Sequence, residues 1–116
     1  MPSTACARAI YWKARPGQFD RYTDYLRREV EPIDHAAQQS GVLTRFCTLI
    51  DRRSDAPWTH MRLFEFADAA QRAALVPALA AVAAALTPDA QARENRAHLA
   101  TTLRDKVGEA DFDLLD

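Results

Sequence analysis

Lysine and asparagine are almost missing from this chain. Of its 15 basic residues only 2 are lysine, and Asn95, in the polar stretch RENR, is the sole asparagine. The formal net charge is −1, which excludes the clear basic excess expected of a nucleic-acid-binding domain. Arginine without lysine reads as the GC-rich coding bias of a bacterial chain rather than as phosphate recognition. Cysteine is scarce too. Cys6 and Cys47 match no metal or redox spacing and are expected as reduced thiols in strands. The three histidines, His35, His60 and His98, are scattered and show no repeated ligand spacing, so no metal is expected. A P-loop, a GxGxxG turn, a nucleophile elbow and an HExxH helix are all missing, and no cofactor is expected. The longest apolar run, AALVPALAAVAAAL, is broken by Pro77 and too short and alanine-rich to span a bilayer. The opening MPSTACARAI lacks a charged segment followed by an apolar one. The expectation is a cytoplasmic protein that meets neither membrane nor nucleic acid.

What is present suits one small domain. The chain has 116 residues, 48% hydrophobic and 27% charged, enough for a single, modest core. Residues 5–14 alternate, separating Arg8, Ile10 and Trp12 from Ala7, Ala9 and Tyr11, and read as a strand. The sequence RPG ends it, since Pro16 restricts its own φ and Gly17 accepts the backbone that precedes a helix. Phe19, Tyr22, Leu26, Val30 and Ile33 then form one helical stripe. Pro32 removes a backbone donor and is expected to kink or restart that helix, and Gly41 to stop it. VLTRFCTLIDRR and WTHMRLFEF read as a hairpin around SDAP. Asp68 with Gln71 forms a capping box, and Leu75, Leu79, Val82 and Leu86 continue at helical spacing, with a kink expected at Pro77. Thr87 and Pro88 look like the cap and first residue of another helix. Within HLATTLRDKV the threonines favour a fourth strand, while Leu99, Leu103 and Val107 allow a helix. The core is expected over about residues 5–105, with 106–116 as an acidic tail that frays or docks on a partner.

The order β-α-β-β-α-(α)-β is a split βαβ arrangement, an α+β fold with an antiparallel four-stranded sheet. Two stretches, KARPGQFDRYTDYL with its strand–PG–helix opening and RLFEFAD before the second helix, resemble the dimeric α/β-barrel superfamily, which includes antibiotic-biosynthesis-monooxygenase-like and stress-responsive barrel-like proteins. The resemblance implies a ferredoxin-like domain whose bare sheet face is covered by a second copy, hence a homodimer. It implies a ligand site inside each protomer or in the barrel lumen. Relatives include cofactor-free oxygenases, polyketide cyclases, lactone isomerases, haem enzymes and ligand-sensing domains. The oxygenases use a buried Asn–Trp–Arg set and the haem degraders an Asn and a His beside the haem. With Asn95 alone in a polar stretch, neither activity is carried over by residue.

His60 and Arg62 are the best polar pair, because residues two apart on a strand share a face. Imidazole exchanges protons near neutral pH, and guanidinium holds a carboxylate, enolate or phenolate oxygen. Facing a cavity, His60 would be an acid/base and Arg62 or Arg45 its oxyanion partner. The alternative places them at a rim or interface. The hairpin register decides which residues join them. One register groups Arg45, Cys47 and Leu49 with His60, Arg62 and Phe64. A slip by one sets Arg45 with Glu65 and puts His60 and Arg62 beside Phe46 and Thr48. Trp12, Tyr22, Phe46, Phe64 and His35 are candidate pocket residues, although aromatics at such spacing also make ordinary core. The functional expectation is a cofactor-independent oxygenase, cyclase or isomerase acting on a small aromatic or polyketide-like metabolite. The competing one is a dimeric module that binds a small apolar ligand without catalysis.

Overall fold

The computed structural model describes residues 5–115, so the first four residues of the opening stretch and the final Asp116 lie outside it. β1 (Cys6–Ala14) runs into the turn at Gly17, whose φ of +76° is the left-handed backbone that glycine accepts without strain. α1 (Phe19–Tyr25) passes through a π-helical turn, Leu26–Val30, into α2 (Glu31–Gln39). Pro32 lies in the first turn of α2 and supplies no N–H to the helical turn before it. The kink expected at this proline takes the form of the widened turn just before it. Gly41, with φ of +80°, ends α2.

The hairpin of β2 (Arg45–Ile50) and β3 (His60–Phe66) follows, then α3 (Ala69–Ala73) and α4 (Leu75–Leu86). Asp68 caps α3 by accepting from the Gln71 N–H at 2.8 Å, and Gln71 Oε1 accepts from the Ala67 N–H at 2.7 Å. The break between α3 and α4 falls at Ala74, which leaves Pro77 in the first turn of α4. α5 (Ala90–Leu103) starts two residues later than the Thr87–Pro88 pattern suggests. Asp89 is its cap, accepting from the Gln91 N–H at 3.0 Å, while the Thr87 hydroxyl accepts from Arg96. β4 (Arg104–Asp113) completes the chain. HLATTLRDKV therefore divides: helix through Leu103, strand from Arg104. Most of the stretch read as an acidic tail is strand.

The four strands form one antiparallel sheet in the order β2-β3-β1-β4. Cys6, Arg8, Ile10 and Trp12 of β1 lie beside Phe66, Phe64, Arg62 and His60 of β3, and this face carries the helices. One cluster gathers Cys6, Phe64 and Phe66 with Ala37, Leu43 and Leu75. A second gathers Ala14 with Tyr22, Tyr25, Leu26, Ala100 and Leu103. The other face carries Tyr11, Met61, Leu63, Leu49 and Phe112, of which Leu49 and Phe112 are 43% and 48% exposed. Cys6 is buried on the helix face and Cys47 is exposed, and both are free thiols. Among the described residues, no helix is long and apolar enough to cross a membrane.

Candidate functional site

The pairings Arg45–Glu65, Thr48–Arg62 and Ile50–His60 define the hairpin register. His60 and Arg62 thus join Phe46 and Thr48 on the helix face. Arg45 lies on the opposite face, 3.6 Å from the Glu65 carboxylate and largely exposed. A shared site of His60, Arg62 and Arg45 does not form.

His60 is fully buried, wedged between the rings of Phe19 and Tyr22 at 4.7 and 4.5 Å between centroids. Its Nε2 lies 2.9 Å from the Thr23 hydroxyl and its Nδ1 2.8 Å from the Thr59 hydroxyl. The Thr23 hydroxyl donates to the Phe19 carbonyl at 2.9 Å, so it accepts from Nε2–H. Nδ1 then accepts from Thr59, whose oxygen accepts the Ala14 N–H at 2.8 Å. One neutral tautomer satisfies every member of this chain. Burial, with the positive charge of Arg52 as a lesser cause, lowers the His60 pKa to about 4. The imidazole joins α1 to the sheet, and both its nitrogens are occupied.

Arg62 is also buried but reaches a cavity wall. Its Nη2 meets Asp34 Oδ2 of α2 at 2.5 Å, and its Nη1 donates to Thr48 at 3.1 Å. Asp34 is 1% exposed. Burial pushes its carboxyl above the ordinary range, against the pull of the Arg62 guanidinium. Among the described residues, Asp34 Oδ1 takes no hydrogen bond, yet it is not a sealed orphan. Asp34 lies on the wall of a cleft and shows it only that 1% of its surface.

That cleft, about 970 Å³ and open to solvent, has the sheet as its floor and α2, α4 and α5 as walls. Ile10, Trp12, Phe64, Leu79, Ala83 and Ala100 supply apolar surface. Arg93, Arg96 and Arg104 line the α5–β4 side, and among the described residues none of these three is paired with a carboxylate. Arg104 lies over Trp12, its Cζ 3.6 Å from the ring centroid, and donates to the Tyr22 hydroxyl at 2.9 Å. Stacking and hydrogen bonding hold the guanidinium in place. The arrangement can take a flat apolar molecule that ends in an anionic group. No cluster of metal-ligating side chains occurs among the described residues.

Of the candidate pocket residues, Trp12 and Phe64 line the cleft together with Arg62. Tyr22 is buried beneath Arg104, and Phe46 packs against the first core cluster. His35 is exposed and meets the edge of Phe46 at 4.9 Å between centroids. Asp34 turns inward and His35 outward, as adjacent helical residues must. The sequence reading missed Asp34, Arg93, Arg96 and Arg104 as site residues. Asp34 had a usable signal. It stands four residues after Val30 and three before Ala37, on the helix's inner stripe, where a lone acid needs a partner.

No protein family matches the sequence, and no curated protein does either. Three solved structures resemble the fold. The NE2512 protein of unknown function from Nitrosomonas europaea matches with a TM-score of 0.63 and 25% identity, over 100% of this chain and 94% of that one. HapK from Hahella chejuensis matches with a TM-score of 0.61 and 13% identity, over 95% and 92%. An uncharacterised NIPSNAP-like domain protein from Burkholderia xenovorans matches with a TM-score of 0.61 and 18% identity, over 100% and 87%. The shared feature is a small α+β fold with an antiparallel sheet.

Proposed function

We propose that this chain is a homodimeric, ferredoxin-like protein of the dimeric α/β-barrel type that binds a small aromatic or apolar anion in the cleft of each protomer. The observation that carries the ligand reading is the cleft itself. Apolar and aromatic surface from β1, β3 and α4 faces Arg93, Arg96 and Arg104, which lack carboxylate partners among the described residues. Apolar walls with a few convergent polar groups are the usual make-up of a small-molecule site. Arginine suits a planar carboxylate, enolate or phenolate.

Support for the dimer comes from the bare sheet face. Leu49 and Phe112 are exposed there beside Tyr11, Met61 and Leu63. A two-fold axis lets one such patch cover another like it. Two free thiols, one of them exposed, suit a reducing compartment such as the cytoplasm.

Binding is favoured over catalysis by His60, because that imidazole is enclosed and both its nitrogens are engaged. Native mass spectrometry with and without added naphthoate tests the proposal. A dimer that carries a small organic molecule, or takes up one naphthoate per protomer, is the expected result. A monomer overturns the dimer, and a protein that stays empty in millimolar naphthoate overturns the ligand reading.

A further inference from the structure

The cleft contains a carboxylate that binding alone does not require. Asp34 comes from the inner stripe of α2, just beyond the π-helical turn Leu26–Val30. Its Oδ2 is held by Arg62, and Arg62 is anchored in turn by Thr48 at 3.1 Å and lies over Phe64 at 5.2 Å from Cζ to centroid. One carboxylate oxygen is thus immobilised, while the side chain, only 2% exposed, still lines the cleft wall. The surrounding wall is apolar, formed by Val30, Ile33, Phe64 and Leu75. A carboxylate fastened at one oxygen and poorly solvated at the other is arranged as a general base.

We propose that Asp34 is the proton-accepting group of this cleft, acting on a ligand with an acidic C–H or O–H beside a carbonyl or aromatic ring. The inference rests on the ligand reading above. Oδ1 takes the proton, the electron pair of the broken bond stays on the ligand, and the resulting enolate or phenolate faces the arginine-lined wall. Return of the proton to another carbon of the same molecule completes an isomerisation without change of oxidation state. Arg62 is a positioning residue. It orients Asp34 and favours its ionised form.

The test uses nitrobenzisoxazole, a small aromatic that loses a ring C–H to a base as its N–O bond opens, giving a coloured cyano-nitrophenolate. Wild-type protein is expected to accelerate this reaction, and Asp34→Asn to lower the rate by about 100-fold, the lower end for a positioned base. The charged groups that set the ionisation of Asp34 are Arg62 from β3 and Glu31 and His35 from its own helix. Arg8 of β1 and Arg96 of α5 share the cleft with it. Removing the Arg62 charge in Arg62→Met is therefore expected to raise the midpoint of the pH–rate profile by about one unit or more. A purely structural ion pair would leave that midpoint where it was.

If Asp34→Asn fails to fold by circular dichroism, the double variant Asp34→Asn/Arg62→Met removes the unbalanced buried charge and carries the comparison. Competition with naphthoate shows whether the probe occupies the cleft. A bound probe that wild type does not turn over, or that Asp34→Asn turns over at the wild-type rate, overturns the base and leaves the ligand reading standing. A protein that binds neither aromatic overturns both.

Discussion

The Thr23 hydroxyl receives a hydrogen bond from His60 Nε2 at 2.9 Å because its own hydrogen is given to the Phe19 carbonyl. That single commitment sets the tautomer of a fully buried imidazole and ties α1 to β3. It also yields a pH dependence with a definite sign. The folded-state pKa is lowered from 6.5 to about 4, so the unfolded chain binds the extra proton between those values. The contribution of His60 to stability is complete above about pH 6.5 and is lost as pH falls toward 4, on the order of 3 kcal/mol in all. Urea denaturation of wild type and His60→Phe at several pH values checks this. The gap in stability between the two is expected to narrow on acidification. A gap independent of pH would contradict the buried neutral imidazole.

Asp34 and Arg62 form a buried pair, so removing one partner strands the other's charge. Asp34→Leu or Arg62→Met alone is expected to cost about 3–5 kcal/mol. The double change Asp34→Leu/Arg62→Met is expected to cost clearly less than the sum, because no lone charge remains. A double-mutant cycle by chemical denaturation measures the coupling, and additive losses would show that the two side chains do not meet.

How much of this was legible in the sequence varies by element. The strand–PG–helix opening, the hairpin and the Asp68 cap were readable, because each depends on neighbours a few residues apart. The register was reduced to two alternatives and no further, since period-two alternation is blind to a one-residue slip. The helix-to-strand change at Leu103–Arg104 was hidden because its threonines and leucines satisfy both periods. It is settled by β4 pairing with β1 along nearly its whole length, a long-range contact. Arg104 was missed as a site residue for that reason. Asp34 was hidden because its partner, Arg62, lies 28 residues away in the chain.

Arg104 lies across Trp12 and is bonded to Tyr22, which holds its charge in place on the cleft wall. Arg104→Gln is expected to weaken binding of anilinonaphthalene sulfonate by about tenfold, the loss of one charge-assisted contact. The same change should alter Trp12 emission, since the guanidinium no longer covers the ring. Fluorescence titration reads both effects, and unchanged affinity would remove Arg104 from the ligand site.

On the opposite sheet face, Phe112 is expected to sit in the dimer interface. Phe112→Lys places a charge on that patch without touching the cleft, whose lining it does not join. Analytical ultracentrifugation is expected to show a dimer for wild type and a shift toward monomer for the variant, with the helical signal of circular dichroism retained. A variant that remains dimeric at micromolar concentration would place the interface elsewhere.

The arginine-lined cleft is expected to select an aromatic anion over its neutral analogue. Calorimetric titration of the wild-type protein with naphthoate and with its neutral amide, naphthamide, tests this most directly, because the two ligands share shape and differ in charge. One naphthoate per protomer is expected to bind, at least about tenfold more tightly than the amide, a difference of about 1.4 kcal/mol. Equal affinities, or heat of binding for neither, would contradict it.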